Sequence, residues 1–276
     1  MLTSAVQPPD PFGGYFRGRV AVIVGAGPGL GATLGARFAA AGALVALVAR
    51  TTKSLQLAAG AVVDAGGQPL PITADIASPA DAKRVADTVL AQFGRVDVLV
   101  NAAFGAGPKR ALLDMDDADL EHWRKTVEVG GYGTLLACRF FAPAMMARRS
   151  GAIVNVTSMS SRIGLAGRSD YAAGKAQAHK IAHALADELG PSGIRVNCVA
   201  PGHIWSEQLE KFYRWEADRE ATTYEAVLAK YTAEMALRRI VTADEIANAV
   251  LFLASEMASG ITGALLDVNA GHLFTP

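Results

Sequence analysis

An α/β fold, one domain on a doubly wound parallel sheet, follows from three features of the chain. Short apolar, β-branched runs alternate with helically spaced segments from residue 19 almost to the end. The runs are apolar at nearly every position, as strands of a parallel sheet covered on both faces must be. The first of them ends in a glycine-rich turn, "VGAGPGLG" at 24–31, that opens a helix. Such alternation implies βαβ units with right-handed crossovers. No repeat, low-complexity segment or linker divides residues 17–276, so a single domain is expected.

Residues 1–16, with their prolines and glycines, read as a loose arm. They lack a basic n-region and an apolar h-region, so no secretory signal is expected. "RVAVIVGAG" (19–27) is the first strand, and Leu30, Leu34 and Phe38 follow it at helical spacing. "ALVALVAR" (43–50) is the second strand and "QPLPITAD" (68–75) a weaker third. "VDVLVNAA" (96–103), "GAIVNVTS" (151–158), "IRVNCVAPG" (194–202) and "ALLDVNAG" (264–271) continue the series. Residues 203–235 break the rhythm and hold two of the three tryptophans and three of the six tyrosines. Long excursions at the carboxyl end of a strand are where open α/β sheets bind ligands, so this segment is expected to be a mobile lid with an apolar inner face.

Composition excludes several classes of function. Lys plus Arg balances Asp plus Glu at 26 each and the pI is near 7, which gives no reason to expect nucleic acid or an anionic membrane as partner. Cys138 and Cys198 stand in unrelated contexts, so a disulfide framework is not expected. No apolar run approaches the roughly 18 residues of a membrane span. A cytoplasmic protein acting on a small molecule is the expectation.

The glycine-rich turn departs from Gly-x-Gly-x-x-Gly, because Leu30 stands where the third glycine would fall. It reads instead as Gly25-x-x-x-Gly29-x-Gly31, with Leu30 inside the loop. Glycines there allow a tight turn and a close backbone approach, so that free amides at the helix start hold a pyrophosphate. The second strand ends at Ala49 and Arg50 without the acid that would favour NAD. Arg50, flanked by Thr51, is suited to a 2′-phosphate and points to NADP. The alternative is NAD, with Arg50 a surface cation. Further on, "SDYAAGKAQAHK" (169–180) sets Tyr171 and Lys175 four apart on one helix face, a cation beside a phenol.

With Gly25-x-x-x-Gly29-x-Gly31, Asn101, Ser158, Tyr171-x-x-x-Lys175 and Pro201-Gly202 in this order, the chain resembles the short-chain dehydrogenase/reductase family, over roughly residues 17–273. The resemblance implies a seven-stranded Rossmann sheet in the order 3-2-1-4-5-6-7. It implies hydride transfer between NAD(P) and an alcohol or carbonyl. It also implies a homotetramer, or a homodimer, built on long helices at 116–149 and 169–190. Asp75 and Ile76 match the pair that contacts the adenine. Asn101, Ala102 and Ala103 match the turn beside the cofactor. Pro201, Gly202, Ile204 and Ser206 match the turn that holds the nicotinamide carboxamide, and Lys175 matches a ligand of the nicotinamide ribose.

The catalytic residues the resemblance implies are Ser158, Tyr171 and Lys175. Bringing a tyrosine from about 10 to near 7 takes about 4 kcal/mol. One cation about 5 Å away at an effective dielectric near 20 supplies roughly 3 kcal/mol of that. Lys175, with the charge of an oxidised nicotinamide, is therefore expected to make Tyr171 an acid and base, while Ser158 fixes the reacting oxygen. Two departures stand out: Gly130 replaces the family's helix asparagine, and Phe104 replaces a glycine after Asn101-Ala102-Ala103. They motivate a rival reading, a nucleotide-binding protein with little or no catalysis. His179 and His183 share a helix face but have no third ligand in the pattern, so no metal is expected. His203, directly after Pro201-Gly202, reads as a loop residue near the expected site, with contact to substrate the alternative, and the acidic stretch at 115–123 reads as a helix start.

Overall fold

The computed structural model describes residues 11–105, 107 and 109–274. Seven parallel strands form one sheet in the order β3-β2-β1-β4-β5-β6-β7. They are β1 (Val20–Val24), β2 (Leu44–Ala49), β3 (Pro69–Thr73), β4 (Val98–Asn101), β5 (Gly151–Val156), β6 (Ile194–Pro201) and β7 (Leu265–Val268). Every run named from the sequence holds one of them, and the order is the one the resemblance implied.

Side chains alternate across the sheet and divide the core in two. Ala21 and Ile23 of β1 face α1 (Leu30–Ala40), α2 (Thr52–Asp64) and α9 (Ala243–Ala254), where Leu34, Phe38 and Val62 are buried. Val20, Val22 and Val24 face the other way, towards α3 (Pro79–Phe93), α5 (Gly133–Arg148) and α6 (Ser169–Leu189). Both faces being covered is the reason the strands are apolar throughout.

Helix ends follow local chemistry. Ser78 caps α3, Pro79 opens it, and Gly94 closes it in the left-handed region. Asp116 and Asp119 form a capping box on α4 (Asp117–Val127), which accounts for the acidic stretch at 115–123. The helix expected over 116–149 is α4 and α5 joined through one π turn, Glu128–Tyr132. Gly130 and Gly131, poor helix formers, sit in that turn, and the Thr134 hydroxyl donates to the Gly130 carbonyl at 2.8 Å.

The loose arm expected over 1–16 falls largely on residues 1–10, outside the described residues. Its last part is packed rather than loose. Phe12 and Phe16 are buried, and the Phe16 ring meets Phe38 edge-on at 5.1 Å. Apolar area outweighs the turn-forming glycines there.

The segment 203–235 is a helical hairpin, α7 (Glu207–Arg219) and α8 (Tyr224–Ala233), capped by Ser206 and Thr223. Tyr213, Ala217 and Val227 are buried beneath it, as the expected apolar inner face requires. That face also carries polar groups: the Tyr231 hydroxyl donates to buried Glu216 at 2.8 Å, and His203 Nδ1 lies 2.7 Å from the Tyr213 hydroxyl.

Candidate active site

The carboxyl ends of β1, β4, β5 and β6 share one edge of the sheet, and strand order reverses between β1 and β4. A crevice opens at such a switch point. Gly25 leaves β1 directly against the next loop: a Cβ there would fall 2.4 Å from the Ala103 nitrogen. A Cβ on Gly31 would fall 2.3 Å from the Gly25 oxygen, so the turn closes onto α1 only with glycine at both positions. Gly29, at φ +89°, sets the entry to Leu30, and no side chain caps the helix. The first amides of α1 therefore lack a side-chain acceptor, and the helix dipole makes that end positive.

Two continuous cavities fill the crevice, sharing Gly25, Gly27, Pro28, Ala102, Phe104 and Gln208. The smaller, about 270 Å³, runs past Ala49, Arg50, Thr51, Asp75, Ile76 and Ala103. Thr51 is committed there to capping α2: its hydroxyl accepts from the Ser54 amide at 3.3 Å and donates to the Ser54 hydroxyl at 2.9 Å. Arg50 is exposed at the rim. The larger cavity, about 690 Å³, holds Leu30, Gly31, Tyr171, Lys175, Pro201, Gly202, Ile204 and Ser206. The Ser206 hydroxyl also accepts from the Leu209 amide at 3.2 Å as the cap of α7. Asn101 lies beneath rather than in the cavities. Its Nδ2 donates to Asn155 Oδ1 at 2.9 Å, and its own Oδ1 has no partner among the described residues.

Tyr171 and Lys175 line the larger cavity; Ser158 lines neither cavity but reaches the Tyr171 phenol from behind. Ser158 is buried at the start of a short turn after β5 and accepts from the Ser160 amide at 3.2 Å. Lys175, on α6 one turn after Tyr171, is 4% exposed. Its Nζ donates to the Val156 carbonyl at 2.7 Å and lies 3.4 Å from that of Ala103. It stands 5.8 Å from the Tyr171 ring centroid. Burial pushes Lys175 down to about 8.

The lowering of Tyr171 was expected from Lys175 together with an oxidised nicotinamide; the protein alone shifts the phenol the other way. Burial pushes the phenol above its ordinary value, and the groups acting the other way are the Ser158 hydroxyl and the Arg168 guanidinium. Desolvation is the largest influence on both members. What results is a phenol held protonated beside a lysine that loses its proton easily.

Phe104 is 57% exposed, and its ring meets Tyr171 at right angles with centroids 6.2 Å apart, narrowing the mouth as its bulk suggested. Gly130 lies in neither cavity lining. A Cβ there would fall 3.1 Å from Gly174 Cα, so this glycine serves the contact of the π turn with α6. His179 and His183 stack edge-on along α6, centroids 4.6 Å apart.

The lid segment read from the sequence supplies His203, Phe212 and Tyr231 to the larger cavity; sequence reasoning passed over Lys109, Leu165 and Arg168, which also line it, and Ser54, which lines the smaller. Of the residues passed over, only Ser54 carried a local signal, three residues after a capping threonine. The others reach the site from loops, which no spacing rule connects.

A family model described as enoyl-(acyl carrier protein) reductase matches residues 25–272. The chain is 34% identical to the short-chain reductase protein NovJ of Streptomyces niveus, over 92% of this chain and 93% of that one. It is 35% identical to the cis-4-hydroxycyclohexanecarboxylate dehydrogenase of Sinomonas cyclohexanicum, over 94% and 98%. The crystal structure of levodione reductase superposes with a TM-score of 0.85 at 28% identity, covering 93% of this chain and 98% of that one. No helix among the described residues is long and apolar enough to cross a membrane.

Proposed function

The chain belongs to the short-chain dehydrogenase/reductase family, NAD(P)-dependent oxidoreductases of CH–OH and C=O groups, and on that premise we propose that it is an NADP(H)-dependent carbonyl reductase. Its substrate would be a small, moderately apolar molecule bound beneath the α7–α8 hairpin. The observation that carries this reading is the placing of Tyr171 and Lys175 in one cavity with the uncapped glycine-rich start of α1.

The residues present fit the dinucleotide. Free amides at Leu30 and Gly31 take the pyrophosphate, and the smaller cavity between Arg50 and Asp75 takes the adenosine. Arg50, with no acid at the end of β2, donates to a 2′-phosphate. Pro201, Gly202, Ile204 and Ser206, which line the larger cavity with Lys175, would border the nicotinamide, and Lys175 would hydrogen-bond its ribose. When bound, the nicotinamide supplies the hydride.

Tyr171, protonated at neutral pH, holds the proton that passes to the carbonyl oxygen. Ser158 hydrogen-bonds the same oxygen and fixes it against the phenol. Lys175, at about 8, returns a proton to this end of the site. Half-exposed Leu120, Tyr132, Leu135 and Met146 along α4, the π turn and α5 support assembly through that helix, as a homotetramer or homodimer.

The test follows NADPH oxidation across ketones, diketones and aldehydes, with Tyr171→Phe in parallel and both coenzymes titrated. Turnover that disappears in the variant while NADPH still binds is the expected result. Turnover that survives removes Tyr171 from its role, and tighter binding of NADH removes the argument from Arg50.

A further inference from the structure

The larger cavity is electrostatically one-sided. Lys109, Arg168 and Lys175 line it, and no Asp or Glu does among the described residues. Lys175 is accounted for by its carbonyl partners and its place beside Tyr171. Lys109 and Arg168 are surplus to the reduction proposed above.

Neither has a carboxylate partner inside the cavity. Lys109 Nζ sits over the Phe212 ring, 4.0 Å from its centroid, where the hairpin closes the cavity. Arg168 lies with its guanidinium 5.2 Å from the Tyr171 ring centroid, and its Nε is buried without a hydrogen bond among the described residues. Its closest carboxylate, Asp170, approaches only to 3.7 Å, behind the cavity wall. The acid nearest Lys109 in effect, Glu216, is taken by Tyr231 and lies within 4 Å of Arg219 and Lys230. Partial burial, and after it repulsion from Arg168, hold Lys109 below its ordinary value. Lys109 is exposed at the cavity mouth with no ion-pair partner among the described residues, and Arg168 has one long pair to Asp170, so an anion in the cavity would add a partner to each cation.

We propose that the substrate carries an anionic group, placed away from its carbonyl, that bridges Lys109 and Arg168 while the carbonyl rests on Tyr171. The ligand class is an oxo acid or oxo ester of an anion with an apolar body against Leu165, Leu209 and Phe212. Phe212 of the hairpin and Lys109 of the loop after β4 meet over this end of the cavity, so the charge is read where the hairpin covers it. This rests on the reductase reading for the identity of the carbonyl, but not for the anion pocket itself.

The test uses the Tyr171→Phe protein saturated with reduced coenzyme, so that binding is measured without turnover. Titration calorimetry compares 4-acetylbenzoate, 4-acetylphenyl phosphate and the neutral 4-acetylbenzamide. At least about tenfold tighter binding of an anion than of the amide is expected, shrinking with added salt. The higher-ranking anion identifies the group as carboxylate or phosphate. Lys109→Met is expected to remove most of that preference with coenzyme affinity unchanged, and Arg168→Gln to do the same independently. Equal binding of all three probes, or of none, overturns the proposal. So does a Lys109→Met variant that loses coenzyme instead, which would place Lys109 on the pyrophosphate. If the anion preference holds while the wild-type protein oxidises NADPH with no ketone, the reductase reading fails and the anion site stands.

Discussion

Replacing Lys175 with methionine should make the coenzyme-free protein more stable while removing its turnover. Burial lowers the lysine from its ordinary 10.5 to about 8. At about 1.4 kcal/mol per pH unit, holding the cation inside costs the native state roughly 3 kcal/mol at pH 7. Methionine fills a similar volume without charge, but leaves the Val156 carbonyl, now 2.7 Å from Nζ, without its donor. That loss costs about 1 kcal/mol. The net expectation is a gain of about 2 kcal/mol at pH 7. The sign with pH is definite. Below 8 both native and unfolded lysines are charged, so the penalty is complete. Between 8 and 10.5 the unfolded chain binds the extra proton, so the wild type regains stability as pH rises. By pH 10.5 the charge penalty is under about 0.5 kcal/mol, and the lost hydrogen bond leaves the variant slightly the weaker. Urea unfolding of both proteins at pH 7, 9 and 10.5, without coenzyme, measures the difference. A variant less stable than wild type at pH 7, or a gain that does not shrink with pH, would refute the burial argument.

The other expectations are simpler to state. Tyr171→Phe should lower turnover by about 10²-fold to 10⁴-fold with coenzyme Kd unchanged, read by initial rates and fluorescence titration. Arg50→Ser should weaken NADPH binding by roughly 10-fold to 100-fold, the range of one or two charge-assisted hydrogen bonds, and leave NADH near its wild-type value. Gly130→Ala places a methyl 3.1 Å from Gly174 Cα and should cost about 1–3 kcal/mol by thermal unfolding. Restoring an asparagine at 130 meets the same backbone first, so it should lower stability as well as change turnover.

The sheet was legible because its physics is local. Each strand is apolar along its length, each crossover has helical spacing, and the glycine turn follows the first strand. The Tyr171–Lys175 pair was legible for the same reason, since the two are joined by one turn of α6. The smaller cavity also lay within reach of the sequence, Arg50 and Asp75 standing at the ends of adjacent strands. Charge regulation was not legible. A phenol next to a lysine suggests a lowered phenol, but the outcome depends on how completely each group is buried and on Arg168, which arrives from the loop before α6. The packed Phe12 and Phe16 were hidden by the prolines and glycines around them. The surplus cations of the larger cavity were hidden because Lys109 and Phe212 are distant in sequence and meet only through the hairpin.

Where the π turn meets α6, Gly130 and Gly174 face each other without side chains. Spacing between ordinary helices is adjustable, because rotamers yield. Here only backbone is in contact, so the gap has one value and the next available value is a whole methyl wider. A residue added on either side would carry Tyr171 and Lys175 outward together, since both ride on α6. Their mutual distance would survive, while their alignment with Ser158, fixed to β5, would not. The site thus has a rigid half and a half set by helix spacing, and damage at this contact should appear as a misplaced serine rather than a broken tyrosine–lysine pair.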